Sequence, residues 1–216
     1  LNKLLDSFLD IFFCEDKTRL YVILFFILGF ILRLINLINA PTSADAAGHA
    51  IFAINFVSSN KLADWSQSTG LWNFLTDLSY KIFGIGDLGA RFLPLIFGSF
   101  SIILMFLFVK EMFNQRTGLI ASFLLAISPY HIRETVPEMD VMAMFFVLFG
   151  AFFFVKGLKE NKKFHFLISA IFIGISVLIK IYTVLFIPVL VLYFFFYCRK
   201  YQIENKERNK YLLTFL

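Results

Sequence analysis

Residues 20–38 read LYVILFFILGFILRLINLI, an apolar run in which Arg33 and Asn36 are the strongly polar side chains. A helix rises about 1.5 Å per residue, so roughly 20 residues cross a hydrocarbon core of about 30 Å. The run lacks the small-residue cleavage site of a secretory signal peptide. It therefore predicts a retained transmembrane helix.

Further apolar runs of helical length follow along the chain. They cover Phe92–Val109, Thr117–Ser128, Met139–Val155, Phe164–Ile179 and Thr183–Tyr197. Apolar residues make up 59% of the 216 positions, and 31 residues are Phe. A soluble domain of this length could not bury so much apolar surface, because its exterior must face water. The composition predicts an all-α membrane protein with six spanning helices.

The basic residues orient these helices, because cytoplasmic loops of membrane proteins are enriched in Lys and Arg. With the N-terminus inside, 14 of the 20 basic residues fall on the cytoplasmic side. The outer side or outer membrane edge keeps the other six: Arg33, Lys61, Lys81, Arg91, Arg133 and Lys180. We therefore predict a multi-pass protein of the cell membrane with a cytoplasmic N-terminus. Because the basic residues form no stripe, we do not expect nucleic acid as a partner.

The segments outside the spans have their own patterns. Residues 1–16 place apolar side chains on one helical face, as in an amphipathic helix at the membrane interface or one packed on another domain. In the first outer loop, residues 39–91, helical spacing predicts two juxtamembrane helices at Ala46–Ser58 and Leu71–Phe83. Cys14 and Cys198 lack metal-ligand spacing and are interpreted as packing residues. We interpret residues 17–216 as the N-terminal portion of a transmembrane domain that continues further.

Three outer segments carry ionisable groups beside spanning helices. They are residues 42–49 (TSADAAGH), 128–140 (SPYHIRETVPEMD) and 180–182 (KIY). Charges at membrane depth are unfavourable, so their recurrence on one side predicts a shared polar cavity.

Each of these residues also has a structural interpretation. Asp45 could cap a helix that starts at Ala46, and His49 could simply bond Asp45 one turn earlier. Asp140 could interact with a helix N-terminus. Three cations could be interfacial anchors: Arg91, Arg133 and Lys180. Two acids and a histidine also permit a divalent metal, although their spacing does not require one.

Four stretches, in order, resemble a known family. They are residues 83–94 (FGIGDLGARFLP), 113–121 (FNQRTGLIA), 126–132 (AISPYHI) with Asp140 after it, and 174–180 (GISVLIK). This set is similar to GT-C glycosyltransferases of the dolichyl-phosphate-mannose–protein mannosyltransferase and aminoarabinose transferase type. The resemblance implies a GT-C-like fold and the transfer of a sugar from a polyprenyl-phosphate carrier to an extracytoplasmic acceptor. That acceptor would be a protein, lipid or glycan.

The resemblance also implies roles for individual residues. Asp45 occupies the place of the family's catalytic base, at the start of the first outer loop. Arg133 and Lys180 would hold the donor phosphate near the outer face. The supporting residues are His49, His131, Glu138, Asp140 and Arg91. Direct displacement of a phosphate leaving group would invert the anomeric carbon and needs no resident cofactor, with a divalent metal as an option.

The chain departs from the family pattern at two places. Ala46 follows Asp45 where the family commonly has a second acid, and residues 68–72 (STGLW) replace a His-Pro-Pro-Leu-like turn. Two alternatives therefore stay open. One is a transporter or flippase that uses the same cations to bind a lipid-linked anion without chemistry. The other, which the two departures favour, is a non-catalytic relative that binds such an anion.

Overall fold

The computed structural model describes residues 16–39, 41–54, 56 and 69–201. This part of the chain is helical and contains no strand. The helices are α1 (Asp16–Asn39), α2 (Ala44–Ala53), α3 (Gly70–Phe83), α4 (Asp87–Met112), α5 (Gln115–Ile127), α6 (Pro129–Arg133), α7 (Asp140–Glu160), α8 (Lys163–Ile179) and α9 (Phe186–Lys200). A 3₁₀ helix, Ile181–Leu185, precedes α9.

The apolar runs predicted to span the membrane all form helices, which confirms the all-α membrane fold. Four have the length and composition to cross a bilayer: α1, α4, α7, and the 3₁₀ helix with α9. The other two, α5 and α8, have 13 and 17 residues. At about 1.5 Å per residue they are about 20 and 26 Å long, less than the usual hydrocarbon thickness. Six complete spans therefore stay a prediction.

Helix α7 lies at the centre of the bundle, between α4 and α8. In the most apolar 18-residue stretch of α7, 83% is buried, compared with 22% in the corresponding stretch of α1. Phenylalanines fill the central interface, where the rings of Phe149 and Phe172 lie 4.2 Å apart between centroids. Peripheral helices keep exposed leucines and isoleucines, as expected where lipid replaces water outside the bundle.

The predicted inner segments lie at one end of the bundle, and the predicted outer segments lie at the other end. At one end Lys159 forms an ion pair with Glu111 at 3.3 Å, and Gln115 donates a hydrogen bond to Thr18. These residues all belong to the predicted cytoplasmic side. The three outer segments with ionisable groups meet at the opposite end. This arrangement agrees with the predicted alternation of the helices, while the side of the membrane stays a prediction.

The first loop contains helices at both predicted positions. Helix α3 matches the predicted Leu71–Phe83, whereas α2 begins at Ala44, two residues earlier than expected. In α3 the polar side chains of Asn73, Thr76 and Asp77 are buried and Ile82 is 67% exposed. A helix in water would bury its apolar face, but a helix at the membrane edge can turn that face towards lipid.

Some predictions fall outside the described residues. The amphipathic helix at residues 1–16 lies almost entirely there, as do Cys14 and the end of the predicted helix Ala46–Ser58. Cys198 is described and is buried in the cluster between α7, α8 and α9, in agreement with its interpretation as a packing residue.

Close packing of α7 on α8 generates a prediction. A Cβ on Gly150 would lie 2.7 Å from the Ile173 side chain and 3.1 Å from the Ser169 carbonyl oxygen. We expect Gly150→Leu to lower the free energy of unfolding by about 1–3 kcal/mol, because the helices must separate. Thermal unfolding in detergent measures the effect. Gly174→Leu is the matched control, because no atom lies within 4 Å of its Cβ position; equal melting temperatures for both variants would contradict this packing.

Candidate active site

The start of α2 carries the predicted catalytic base. Ser43 caps this helix, since its hydroxyl oxygen accepts a hydrogen bond from the Ala46 N–H at 3.0 Å. The interpretation of Asp45 as the cap of a helix starting at Ala46 is therefore wrong. The Asp45 side chain lies in the first turn and is 77% exposed. His49, one turn later, is buried, with its Nε2 3.8 Å from Asp45 Oδ1.

A second carboxylate reaches this cluster from a distant part of the chain. Glu138, in the loop before α7, places Oε2 3.7 Å from the Nε2 of His49. The position after Asp45 is Ala46, and its side chain is fully buried. A longer acidic side chain would have to leave a charge in that buried space. Tertiary structure thus supplies from Glu138 a second acid that the local sequence lacks.

A bidentate ion pair lies beside this acidic cluster. The Lys180 ammonium, at the end of α8, is 2.5 Å from both oxygens of Asp140 at the start of α7. An interfacial anchor at Lys180 or a helix-dipole partner at Asp140 would not require such a contact. This pair joins the second and third outer segments.

Asp45, His49, Glu138, Asp140 and Lys180 form one electrostatic cluster. Burial, followed by the negative charges of Asp45 and Asp140, raises the pKa of Glu138 to about 7. Lys180 opposes this increase, and Glu134 adds to it. Burial also lowers the pKa of His49, and the nearby Asp45 counteracts that effect. The carboxyl of Glu138 therefore changes its charge near neutral pH, which is typical of groups in functional sites.

Buried polar contacts hold the outer segments together. Arg91, 1% exposed, donates hydrogen bonds to the Leu37 carbonyl at 3.0 Å and to the Thr42 hydroxyl at 2.5 Å. Arg91 thereby ties the start of α4 to the end of α1 and to the chain just before Asp45. Because its side chain is buried, Arg91 does not extend to the headgroups as an interfacial anchor would. Asn36 adds a second link, donating from Nδ2 to the Ile132 carbonyl at 2.9 Å.

The altered turn at residues 68–72 contacts the third outer segment. Thr69 donates a hydrogen bond of 2.5 Å to the Ile179 carbonyl oxygen, directly before Lys180. Trp72 is fully buried and packs in a cluster with Met142 and Ile179. Sequence reasoning noted the unusual turn but did not predict this contact, because residues 69 and 179 are far apart in the chain.

The two predicted phosphate-binding cations line neighbouring cavities. Lys180 lines a cavity of about 530 Å³ together with Asp140, His131 and Glu134. Arg133 is exposed and lines a second cavity of about 400 Å³, which Glu134 also borders. Glu138 and Ser43 lie on that second cavity. Arg133 therefore lines the same cavity as Glu138 of the acidic cluster, whereas Lys180 lines the larger cavity.

The larger cavity is polar at one end and apolar along α7. Asp140, Ala143, Met144 and Val147 line it at helical spacing. Because seven residues of helix rise about 10 Å, this wall extends from the outer loops towards the interior of the bundle. Such a cavity matches an amphipathic ligand with a polar head and a hydrocarbon chain.

The remaining predicted site residue, His131, is buried beside Arg33. Arg33 was placed at the outer membrane edge by the sequence analysis and was given no role.

Asp45, His49 and Glu138 can each offer one ligand atom to a metal ion, and these atoms lie within 4.8 Å of one another. Two carboxylate oxygens and an imidazole nitrogen suit several divalent transition metals.

Comparison with known proteins identifies the family. Residues 68–216 match the dolichyl-phosphate-mannose-protein mannosyltransferase family, and this range includes Arg133, Glu138, Asp140 and Lys180. Asp45 precedes the matched range. No curated protein sequence matches the chain.

Solved structures show a similar fold. The apo oligosaccharyltransferase of Archaeoglobus fulgidus matches 94% of this chain with a TM-score of 0.73 and 16% identity. A second structure of that enzyme, AglB in complex with an inhibitory peptide and a dolichol-phosphate, matches 85% with a TM-score of 0.66 and 17% identity. The chain covers 28% and 26% of the matched chains in these two structures, about a quarter of their length.

These findings confirm the resemblance to GT-C glycosyltransferases. The family match covers more than half of the sequence, and the helical bundle agrees with it. The chain belongs to the dolichyl-phosphate-mannose-protein mannosyltransferase family.

Proposed function

We propose that this chain is part of a glycosyltransferase that moves a sugar from a polyprenyl-phosphate carrier to an acceptor outside the cytoplasm. The observation that carries the proposal is the meeting of an acidic cluster with the Lys180–Asp140 pair beside an amphipathic cavity. Family membership supports the same activity. The active site lies on the extracytoplasmic face, and the N-terminus is cytoplasmic, following the bias of basic residues.

The donor occupies the larger cavity in this proposal. Its phosphate lies near Lys180, while its hydrocarbon chain follows Met144 and Val147 along α7. Asp140 holds the ammonium of Lys180 in place. When the donor binds, this ammonium interacts with both Asp140 and a phosphate oxygen. Arg133 approaches from the neighbouring cavity and adds a planar donor to the same phosphate. Archaeoglobus fulgidus AglB has been solved with a dolichol-phosphate, and the oligosaccharyltransferase of that organism has been solved with a tethered acceptor peptide; both structures support this donor and a protein acceptor.

The chemistry is a direct displacement. The acceptor oxygen attacks the anomeric carbon, and the bond between that carbon and the phosphate oxygen breaks. Asp45 takes the acceptor proton, and the polyprenyl phosphate leaves with the electron pair. A phosphate leaving group has a second pKa of about 6, so it needs little protonation near neutral pH. Attack from the side opposite the phosphate inverts the configuration of the anomeric carbon.

A divalent metal would fit between Asp45, His49 and Glu138. There it would supply electrostatic stabilisation of the phosphate as negative charge develops on it. In the transfer assays below, EDTA followed by added Mn²⁺ tests the requirement. Activity that persists in EDTA would remove the metal from the proposal.

The role of Asp45 generates the first prediction for this function. We expect Asp45→Asn to lower kcat for sugar transfer by roughly 10²–10⁴-fold, because the amide cannot take the acceptor proton. The assay uses the full-length protein with a radiolabelled polyprenyl-phosphate mannose and membrane extract as acceptor. Glu111→Gln at the opposite end of the bundle is the matched control. Unchanged turnover in the Asp45 variant, with normal membrane insertion, would remove the base assignment.

Glu138 generates a pH prediction. Its raised pKa of about 7 leaves the carboxyl neutral below that pH and negative above it. When Glu138 is protonated, the acidic cluster has one carboxylate fewer to take up the acceptor proton. We therefore expect the rate of sugar transfer to rise with pH. We expect kcat/KM to increase roughly tenfold between pH 6 and pH 8. The step should disappear in Glu138→Gln; a variant that keeps the same step would assign it to another group.

The separate cavities generate a prediction about the donor phosphate. We expect Lys180→Met to weaken binding of a polyprenyl monophosphate roughly 10–100-fold, because a charge-assisted hydrogen bond is lost. Arg133→Met should have a smaller effect, because Arg133 is exposed and water screens its charge. Titration in nanodiscs measures both, with Lys156→Met as a control at the other end of α7. A larger effect of Arg133 would place the phosphate in the smaller cavity.

A further inference from the structure

Arg33 is completely buried in α1, although most of that helix faces outwards. Its Nη1 donates hydrogen bonds to the carbonyl oxygens of Gly29 at 2.8 Å and Ala126 at 3.3 Å. Its Nη2 donates to the Leu125 carbonyl at 3.1 Å. Leu125 and Ala126 lie in the last turn of α5, where carbonyl groups lack partners within the helix. Arg33 therefore caps α5 with a positive charge, which the helix dipole favours.

The same guanidinium determines the tautomer of His131. Nη2 of Arg33 lies 2.8 Å from Nδ1 of His131. A guanidinium has N–H donors and no acceptor, so Nδ1 must accept this hydrogen bond. Burial, together with the charge of Arg33, lowers the pKa of His131 to about 4. The ring is therefore neutral at physiological pH, and its proton lies on Nε2.

The Nε2–H group of His131 has no hydrogen-bond partner among the described residues. Nε2 points away from Arg33, because the two nitrogens lie on different sides of the imidazole ring. His131 is 5% exposed and is one of the residues that line the larger cavity with Lys180 and Asp140, but Nε2 itself is covered, so a ligand oxygen reaches it only when a neighbouring side chain moves. A buried donor without a partner is unfavourable, so it calls for an acceptor that the protein itself does not supply.

We propose that His131 donates a hydrogen bond from Nε2 to a phosphate oxygen of the ligand in this cavity, and that Arg33 is the positioning residue that holds its tautomer. The identity of the phosphate as that of a polyprenyl carrier rests on the function proposed above. Asp140 already balances the charge of Lys180. A neutral donor therefore adds attraction for the phosphate without adding another buried charge.

Binding measurements test the role of His131. The full-length protein in nanodiscs is titrated with a short-chain polyprenyl monophosphate, with inorganic phosphate, and with the uncharged polyprenol. We expect His131→Phe to weaken binding of the polyprenyl phosphate roughly 10–100-fold and to leave binding of the polyprenol unchanged. His131→Gln should recover part of the affinity, because its amide keeps an N–H donor. His165→Phe, at another buried histidine, is the matched control.

Nitrogen NMR of the wild-type protein tests the tautomer and does not depend on the folding of a variant. The sequence has three histidines, so labelled imidazoles can be assigned by single substitution. We expect His131 to show an unprotonated Nδ1 and a protonated Nε2, whose proton resonance moves when polyprenyl phosphate is added. In Arg33→Met the two tautomers should mix, an effect that loss of the α5 cap alone would not produce.

The outcomes separate this inference from the proposed function. A protonated Nδ1, or wild-type affinity for polyprenyl phosphate in His131→Phe, would overturn the inference. Phosphate binding that depends on His131 in a protein that forms no glycosidic product would support the inference and refute the transferase. An equal response to inorganic phosphate would support recognition of the phosphate group itself, whereas a response to the lipid phosphate alone would support the carrier as its source.

Discussion

The ion pair between Lys180 and Asp140 joins the end of α8 to the start of α7. Each charge would be unfavourable by itself at the edge of a hydrocarbon layer, and the pair with both oxygens engaged removes much of that penalty. Because α7 is the central helix of the bundle, this contact also determines where the loop before it lies. Glu138, two residues before Asp140, is thereby held near His49.

Two buried arginines, Arg33 and Arg91, also hold the outer segments together, but mainly through hydrogen bonds to the backbone rather than an ion pair. Arg33 and Arg91 donate mainly to backbone carbonyls at helix ends, so each replaces hydrogen bonds that water would otherwise supply. Arg91 holds the chain before Asp45, and Arg33 holds His131. Of the six basic residues assigned to the outer end, Arg33 and Arg91 are therefore buried and hold the backbone, whereas Arg133 and Lys180 line cavities. Charge counting along a sequence treats all four alike, because it contains no information on burial.

Much of the fold followed from local patterns. Apolar runs predicted α1, α4, α5, α7, α8 and α9, and the spacing of Leu71, Leu75 and Leu78 predicted α3 within one residue of its start. Site residues were predicted less completely. The outer segments with Asp45, Glu138 and Lys180 were expected to share a cavity, and the structure brings their side chains into one electrostatic cluster. Arg133 and Lys180 do not share the expected cavity, because Arg133 at the end of α6 and Lys180 at the end of α8 line different cavities, and Glu134 borders both.

By itself, the sequence determined that the chain forms apolar helices in a membrane, because hydrophobic periodicity and length act locally and need no knowledge of neighbours. It also determined which segments share an end of the bundle, since helices of spanning length alternate in direction. Only the tertiary structure decided that Glu138 lies next to His49 in the cluster with Asp45, that Arg33 contacts Nδ1 of His131, and that Thr69 reaches Ile179. These contacts join residues many positions apart, and their geometry depends on how the helices pack.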